Sequence, residues 1–289
     1  MARRPLLIEV IAARTTAAAL AAYRDAHPAS DLVEFRLDGI ADLKLDRILA
    51  ARGRPKLLTV RSRAQGGAAG RDDRRALLRR LVRSGADYVD LEADDLEERD
   101  LLRAGGPRRL LSWHDPHATP LDLEARAARL LAVPGIDLVK VVTWAEVAGD
   151  NLRHRDLLRG APRGRLIAFA MGPKGMPSRI LAAAWGSAAL YAPRRGAPES
   201  APGQIPIEDL EEVYRWRAIA PTTTLLGVLG APVGGSFSPR LHNAGIQALD
   251  LDMRYLPFEA SSVAEFLPIL RDLRLRGLSV THPFKEAIL

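Results

Sequence analysis

The sequence predicts an α/β protein of 289 residues: a (β/α)8 barrel of the TIM type, then a shorter and incomplete α/β unit. Three observations lead there. Up to about residue 192 one pattern recurs, a short apolar strand followed by an Ala/Leu/Arg-rich helix. Eight such repeats fit into about 220 residues, which suits a closed parallel barrel better than an open sheet. After "APTTT" the pattern restarts, and it stops three strands later.

The barrel strands are expected at Leu6–Ile11, Leu32–Asp38, Lys56–Ser62, Tyr88–Glu92, Arg109–His114, Leu138–Thr143, Leu166–Met171 and Ala188–Tyr191. Helical patterns lie between them, among them "TTAAALAAYRDAH", "RDDRRALLRRLVRSG", "LEARAARLLAV" and "PSRILAAAWG". The last barrel helix is expected in "PIEDLEEVYRWRAI", with Pro206 at its first turn. The run "APRRGAPESAPGQIP" (192–206) separates strand eight from that helix and reads as a loop over the barrel mouth. The boundary between the units is placed at 220/221. In the second unit "LLGVLG", "MRYLPFEA" and "LSVTHP" read as strands, and "SPRLHNAGIQALD" and "SSVAEFLPILRDLRLRG" as helices. "FKEAIL" reads as a turn into a further helix, so the last strand lacks the packing that normally follows it.

Composition narrows the function. A 47% apolar and 27% charged chain is an ordinary soluble globular protein. The net charge of +7 comes from arginines scattered among 35 acids, with no basic run, so no nucleic-acid partner is expected. The absence of cysteine excludes disulfides, zinc fingers and thiol catalysis. No stretch reaches transmembrane length, so no membrane partner and a cytoplasmic location are expected. Nothing in the sequence excludes a homodimer.

Side chains alternate across a strand, so residues two apart share a face. One face carries unexpected polarity: Glu34 and Arg36 with Asp38, Thr59 and Arg61, Asp90 and Glu92, Ser112 and His114, and Lys140. Barrel interiors are normally aliphatic, and catalytic groups sit at the C-terminal strand ends, where most of these residues fall. Lys140, within "GIDLVKVVTW", stands out further because only five of the 42 Lys and Arg residues are lysines. Arg stays charged, whereas a desolvated Lys can shed its proton and become a nucleophile. A lysine that attacks carbonyls, a histidine that shuttles protons and arginines that grip carboxylates suggest an acidic carbonyl substrate processed through an imine. Spacing alone does not separate an aldolase from a dehydratase.

Six ordered motifs bear on that choice: "EFRLD" (34–38), "LTVRSRAQGG" (58–67), "LLSWHDPHATP" (110–120), "LVKVVT" (138–143), "MGPKGMPSR" (171–179) and "SAPGQ" (200–204). Together they resemble type I 3-dehydroquinate dehydratase over roughly residues 5–219. The resemblance implies a hydro-lyase that converts 3-dehydroquinate to 3-dehydroshikimate without a cofactor or metal. Lys140 would form the imine, and His114 would act as general acid and base. Arg179 would hold the carboxylate, Ser200 and Gln204 would close over the ring hydroxyls, and Glu34, Arg36 and Arg61 would line the pocket. Gln65 stands where the family usually has Glu, so it can hydrogen-bond His114 but brings no charge. The competing readings are another class I Schiff-base aldolase or lyase, and a catalytically impaired substrate-binding scaffold.

Residues 224–289 resemble the start of shikimate dehydrogenase through "GVLGAPVGGSFSPRLHN" and "LSVTHPFK". Gly235 stands where that family has the His of "HSxSP", and Ser279 replaces its usual Asn. The resemblance implies that Ser236 and Ser238 contact a shikimate or 3-dehydroshikimate carboxylate, with Thr281 and Lys285 at the same site. NADP belongs to a later domain of that family, so hydride transfer is expected only in a chain that continues past Leu289.

Overall fold

The computed structural model describes residues 4–97, 99–102, 105–198 and 201–289. Eight parallel strands form the first sheet: β1 (Leu6–Ile11), β2 (Leu32–Arg36), β3 (Lys56–Thr59), β4 (Tyr88–Glu92), β5 (Arg108–Asp115), β6 (Leu138–Trp144), β7 (Leu166–Met171) and β8 (Ala189–Ala192). They run side by side in the order β7-β6-β5-β4-β3-β2-β1-β8. The seam between β8 and β7 is spanned where Ala188 N donates to Leu166 O at 2.8 Å, so the barrel is nearly closed. β2 stops at Arg36 and β3 at Thr59, earlier than their apolar runs suggest. Beyond the strand ends, Leu37–Gly39 and Arg63–Gln65 form 3-10 turns.

Outside the barrel lie α1 (Thr16–Arg24), α2 (Leu45–Ala50), α3 (Arg71–Leu81), α4 (Leu123–Leu131), α5 (Asp150–Gly160) and α6 (Met176–Trp185). Outward strand residues such as Leu7, Val33, Phe35, Leu58, Val89, Val139 and Ala168 form one core with the helices. Burying each large apolar side chain there contributes about 1.5–3 kcal/mol. Helix starts follow their sequence signals: Thr15 Oγ1 accepts from Ala18 N at 3.1 Å, and Pro177 sits in the first turn of α6.

The expected last barrel helix is not a regular α-helix. Residues Asp209–Val213 form a π-helical turn, followed by a 3-10 turn at Trp216–Ala218. The carbonyls freed there are taken by the second unit. Gln247 Nε2 donates to Glu212 O and Val213 O at 3.0 and 3.2 Å, and Arg254 Nε donates to Tyr214 O at 2.7 Å. Tertiary partners thus replace the i→i−4 ladder.

That second unit holds β9 (Thr224–Gly230), β10 (Met253–Glu259) and β11 (Gly277–Val280) as a parallel sheet in the order β10-β9-β11, with α7 (Ser238–Ala248) and α8 (Val263–Asp272). "SVAE" at the start of α8 reads as a capping box, and Ser262 Oγ does accept from Glu265 N at 3.1 Å. The Glu265 carboxylate, however, reaches the barrel. It accepts from Ala148 N at 2.7 Å and lies 3.3 Å from Lys174 Nζ. Leu229, Leu256, Phe258 and Phe266 join the barrel's outer core, so the two sheets share buried apolar surface.

Candidate active site

The barrel interior changes character halfway up. Ile8, Leu32, Leu57, Leu110, Leu138, Ile167 and Ala189 fill the lower part as a separate apolar cluster. Two residues further along the same faces come Glu34, Thr59, Asp90, Ser112 and Lys140, then Arg36, Arg61, Glu92 and His114. Register sets these neighbours: Lys140 lies opposite Ser112, which lies opposite Glu92, and Thr59 lies opposite both Arg36 and Asp90.

Above them opens a cavity of about 210 Å³. Glu34, Arg36, Arg61, Gln65, His114, Lys140, Arg179 and Gln204 all line it, as do Trp144, Phe169, Met171 and Tyr191. Ser200 lies outside the described residues. Its neighbours Ala201 and Pro202 reach the cavity, so the Pro/Gly-rich loop does lie over the mouth.

The arginines are not bare positive walls. Arg61 donates to Asp90 at 2.6 Å, to Ser112 at 2.7 Å and to Glu92 at 3.1 Å, while Arg36 grips Asp38 through two 3.0 Å contacts. Glu34 accepts from Thr59 Oγ1 at 2.7 Å. Lys140 therefore meets both signs of charge. Burial lowers its pKa from 10.5 to about 8, with Arg61 and Arg36 pushing the same way against Glu34 and Asp90. Its Nζ sits 3.7 Å from the centre of the Tyr191 ring.

His114 is held well below the ordinary histidine range by burial, then by Arg61, Lys140 and Arg36. Its Nδ1 lies 2.8 Å from Gln65 Oε1. A carbonyl oxygen can only accept, so Nδ1 carries the proton and Nε2 keeps its lone pair. The loop bearing Gln65 needs its two glycines. Gly66 has φ +81°, and a Cβ on Gly67 would fall 2.1 Å from the Arg61 carbonyl oxygen.

Arg179 enters from α6. Its guanidinium stacks on Phe169 at 4.7 Å and donates to Pro202 O at 3.1 Å, which joins the β7 side of the mouth to the covering loop.

Sequence reasoning missed two features. Tyr191 projects into the barrel from β8. The alternation Ala189/Tyr191 was available as a signal, but a four-residue strand gave no anchor for which parity faces inward. The second is a buried chain behind β6. His154 Nε2 lies 2.8 Å from Thr143 Oγ1, which lies 2.6 Å from Thr119 Oγ1, which donates to Trp144 O at 3.0 Å. The terminal carbonyl fixes the direction, so His154 donates to Thr143 and Thr143 to Thr119. The chain pins the loop after His114 to the end of the strand carrying Lys140. Burial drives the His154 pKa to about 3, so it is neutral there.

In the second unit the loops after β9 and β11 meet at the carboxyl end of the parallel sheet, where Ala231 N donates to His282 O at 3.1 Å. Thr281 packs so closely on Gly230 that a Cβ there would lie 2.4 Å from its Cγ2. Ser236 follows in the β9–α7 turn and Ser238 opens α7, with Ser238 N donating to Ser236 Oγ at 3.2 Å, and Lys285 is exposed. That turn lacks the GxGxxG spacing that lets backbone approach a pyrophosphate. Among the described residues no helix is long and apolar enough to cross a membrane, and no acid/His cluster suits a metal ion.

Comparison with known proteins places both parts. Residues 9–221 match the family model for type I 3-dehydroquinase, and residues 228–289 match that for the shikimate dehydrogenase substrate binding domain. The chain is 33% identical over 272 residues to the chloroplastic bifunctional 3-dehydroquinate dehydratase/shikimate dehydrogenase of Arabidopsis thaliana, covering 90% of this chain and 45% of that one. It is 40% identical over 267 residues to a 3-dehydroquinate dehydratase of Pyrobaculum aerophilum, covering 88% and 81%. Among solved structures, the dehydroquinate dehydratase and shikimate dehydrogenase part of AroM from S. pombe superposes with a TM-score of 0.63 at 25% identity, over 99% of this chain and 58% of that one. The chain spans about half the length of two of the relatives it matches, 45% of the Arabidopsis protein and 54% of a Chlamydia pneumoniae shikimate biosynthesis protein. On the match over residues 9–221 and the barrel that carries it, the chain belongs to the type I 3-dehydroquinase family, with a shikimate dehydrogenase substrate-binding segment after the barrel.

Proposed function

We propose that residues 1–220 dehydrate 3-dehydroquinate to 3-dehydroshikimate through an imine on Lys140, with His114 as acid and base. The observation that carries this reading is a buried amine, with its pKa near 8, beside an imidazole whose Nε2 is unprotonated. Lys140 Nζ adds to the ketone, and loss of water leaves an iminium. His114 Nε2 takes the proton from the adjacent carbon, and the electron pair moves into the iminium to give an enamine. The enamine expels the β-hydroxyl, which takes the proton back from the imidazolium and departs as water. Hydrolysis then frees the lysine. Arg179 grips the carboxylate, and Glu34, Arg36, Arg61 and Gln204 orient the ring. The test is direct: 3-dehydroquinate added to the whole chain should produce the ultraviolet absorbance of the conjugated product. An aldolase would cleave a carbon–carbon bond instead, and a mere scaffold would bind without any absorbance change.

Gln65 makes a second prediction. A carboxylate 2.8 Å from Nδ1 would stabilise the imidazolium by charge, which the neutral amide does not. Gln65→Glu should therefore raise the His114 pKa and move the acidic limb of the kcat–pH profile to higher pH. Superimposable profiles for the two proteins would exclude the electrostatic role.

For residues 221–289 we propose that Ser236 and Ser238, with Thr281 and Lys285, hold the carboxylate and hydroxyls of shikimate or 3-dehydroshikimate. The meeting of the two loops at the carboxyl end of the sheet supports this reading, since ligands of open parallel sheets bind beyond the carboxyl ends of the strands.

A further inference from the structure

Glu265 spends half of its carboxylate outside its own helix. In a capping box the acid at the third helical position folds back on the N-cap N–H. Here Oε2 accepts from Ser261 N at 2.8 Å, one residue before the cap, while Oε1 accepts from Ala148 N of the barrel at 2.7 Å. Ala148 is buried, so its N–H depends on an acceptor from the protein. Lys174 Nζ lies 3.3 Å from the same Oε1, and it donates to Glu146 O at 2.7 Å and to Ser261 Oγ at 2.6 Å. Residues 145–149 leave β6, the strand of Lys140, and residues 172–175 leave β7. One carboxylate of the second unit thus clasps two loops at the barrel mouth.

Hydrogen bonds carry that clasp to Arg179. Asn151 is fully buried; its Nδ2 donates to Ala148 O at 2.8 Å and to Lys174 O at 2.7 Å, and its Oδ1 accepts from Ser178 N at 2.9 Å. Ser178 precedes Arg179 in α6, and its Oγ donates to Gly175 O at 2.7 Å and accepts from Ala170 N at 2.8 Å. The second unit also meets the start of α6 directly. β10 lies against that helix and the Pro173–Gly175 turn, and a Cβ on Gly234 would fall 3.9 Å from Met176 Cε. Arg179 therefore enters the cavity from a base that the second unit braces from outside.

We infer that Glu265 is a positioning residue for the barrel's reaction: by clasping the loops after β6 and β7 it holds Arg179 where the substrate carboxylate arrives. This inference rests on the dehydratase reading, in which Arg179 grips that carboxylate, and adds that the second unit keeps the grip in place. Glu265 acts through Arg179 and takes no part in the proton or imine chemistry. An arginine–carboxylate contact is made alike in the bound substrate and in the transition state. Loosening it weakens binding and leaves the chemical step unchanged.

The experiment is steady-state turnover of 3-dehydroquinate by the whole chain, by Glu265→Ala, by Arg179→Met and by the double variant, well below their thermal midpoints. Glu265→Ala should raise KM on the order of tenfold, with kcat held within about twofold. Added to Arg179→Met, the same change should raise KM no further, because the group it places is gone. A general loosening of the mouth would raise KM by the same factor in both backgrounds. Glu265→Gln keeps the bulk and an acceptor for Ala148 N but loses the charge facing Lys174, so its KM should fall between those of the parent and Glu265→Ala. Should Glu265→Ala not fold, Glu265→Gln takes its place in the same cycle. An equal rise in the two backgrounds, no rise at all, or a drop in kcat at unchanged KM overturns the inference and leaves the dehydratase reading standing. A parent that forms no conjugated product overturns the dehydratase reading itself, and a KM unmoved by Arg179→Met overturns the role of Arg179; the inference falls with either.

Discussion

Replacing Lys140 by Met should abolish turnover and stabilise the fold. Met matches the length and bulk of the lysine stem but has no nitrogen, so no imine can form. The loss in kcat should reach on the order of 10⁵-fold, as when the nucleophile of a covalent mechanism is removed. At pH 7 an amine with its pKa near 8 is free in roughly one molecule in ten, against roughly one in three thousand for an ordinary lysine. The parent's kcat/KM should therefore climb with pH to a plateau above about pH 8. The same displacement has a cost in stability. Between pH 8 and 10.5 the unfolded chain still holds a proton that the folded chain has released, so folding stability rises with pH across that window. Below pH 8 the full penalty applies, about 3 kcal/mol. Lys140→Met lifts it, so the variant should melt higher than the parent at pH 7 and lack the rise between pH 8 and 10.5. A variant that turns over, or that melts lower at neutral pH, contradicts the reading of a strained and reactive amine.

Much of this site was legible because strand periodicity is rigid. Once His114 and Lys140 are placed on β5 and β6, register brings Ser112, Glu92 and Asp90 to the same interior, and the cavity is lined by Glu34, Arg36, Arg61, Gln65, Arg179 and Gln204 as well as by His114 and Lys140. The strand ends were less legible. Asp38 and Gln65 lie in 3-10 turns, where hydrogen bonds to Asp38 from Arg61 N and Ala68 N override the extended pattern. The sense of the charges was also hidden. Counting arginines suggests a positively lined cup, but Arg61 and Arg36 are matched by Asp90, Glu92 and Asp38, and only distances show that pairing. The final barrel helix failed for a different reason. "PIEDLEEVYRWRAI" has good helical propensity, yet Gln247 and Arg254, more than thirty residues away in the chain, bond its carbonyls and hold a π turn. No local window of sequence contains that information.

Arg61→Met should be the most destabilising single substitution in the barrel interior. Arg61 is 3% exposed and joins β3 to β4 and β5 through Asp90, Glu92 and Ser112. Met fills most of the volume but strands the carboxylates. Glu92 retains Ser62 N at 2.9 Å and Arg74 at 3.4 Å, whereas among the described residues the one hydrogen bond left to Asp90 is from Ser112 Oγ at 2.5 Å. Removing one partner of a buried pair typically costs about 3–5 kcal/mol, because the remaining charge stays in a poor solvent. Stability should fall by that amount at pH 7 in urea or thermal unfolding. Two further measurements separate a stranded charge from lost packing. Asp90→Asn in the Arg61→Met background should recover about 1–3 kcal/mol, so the two changes are far from additive. The single variant should also close part of its deficit on mild acidification, as the stranded carboxylate takes up a proton in the folded state before the unfolded chain does. A deficit that is unchanged by pH and by Asp90→Asn would mean that Arg61 contributes bulk alone, leaving no charge network under Lys140 to tune its amine.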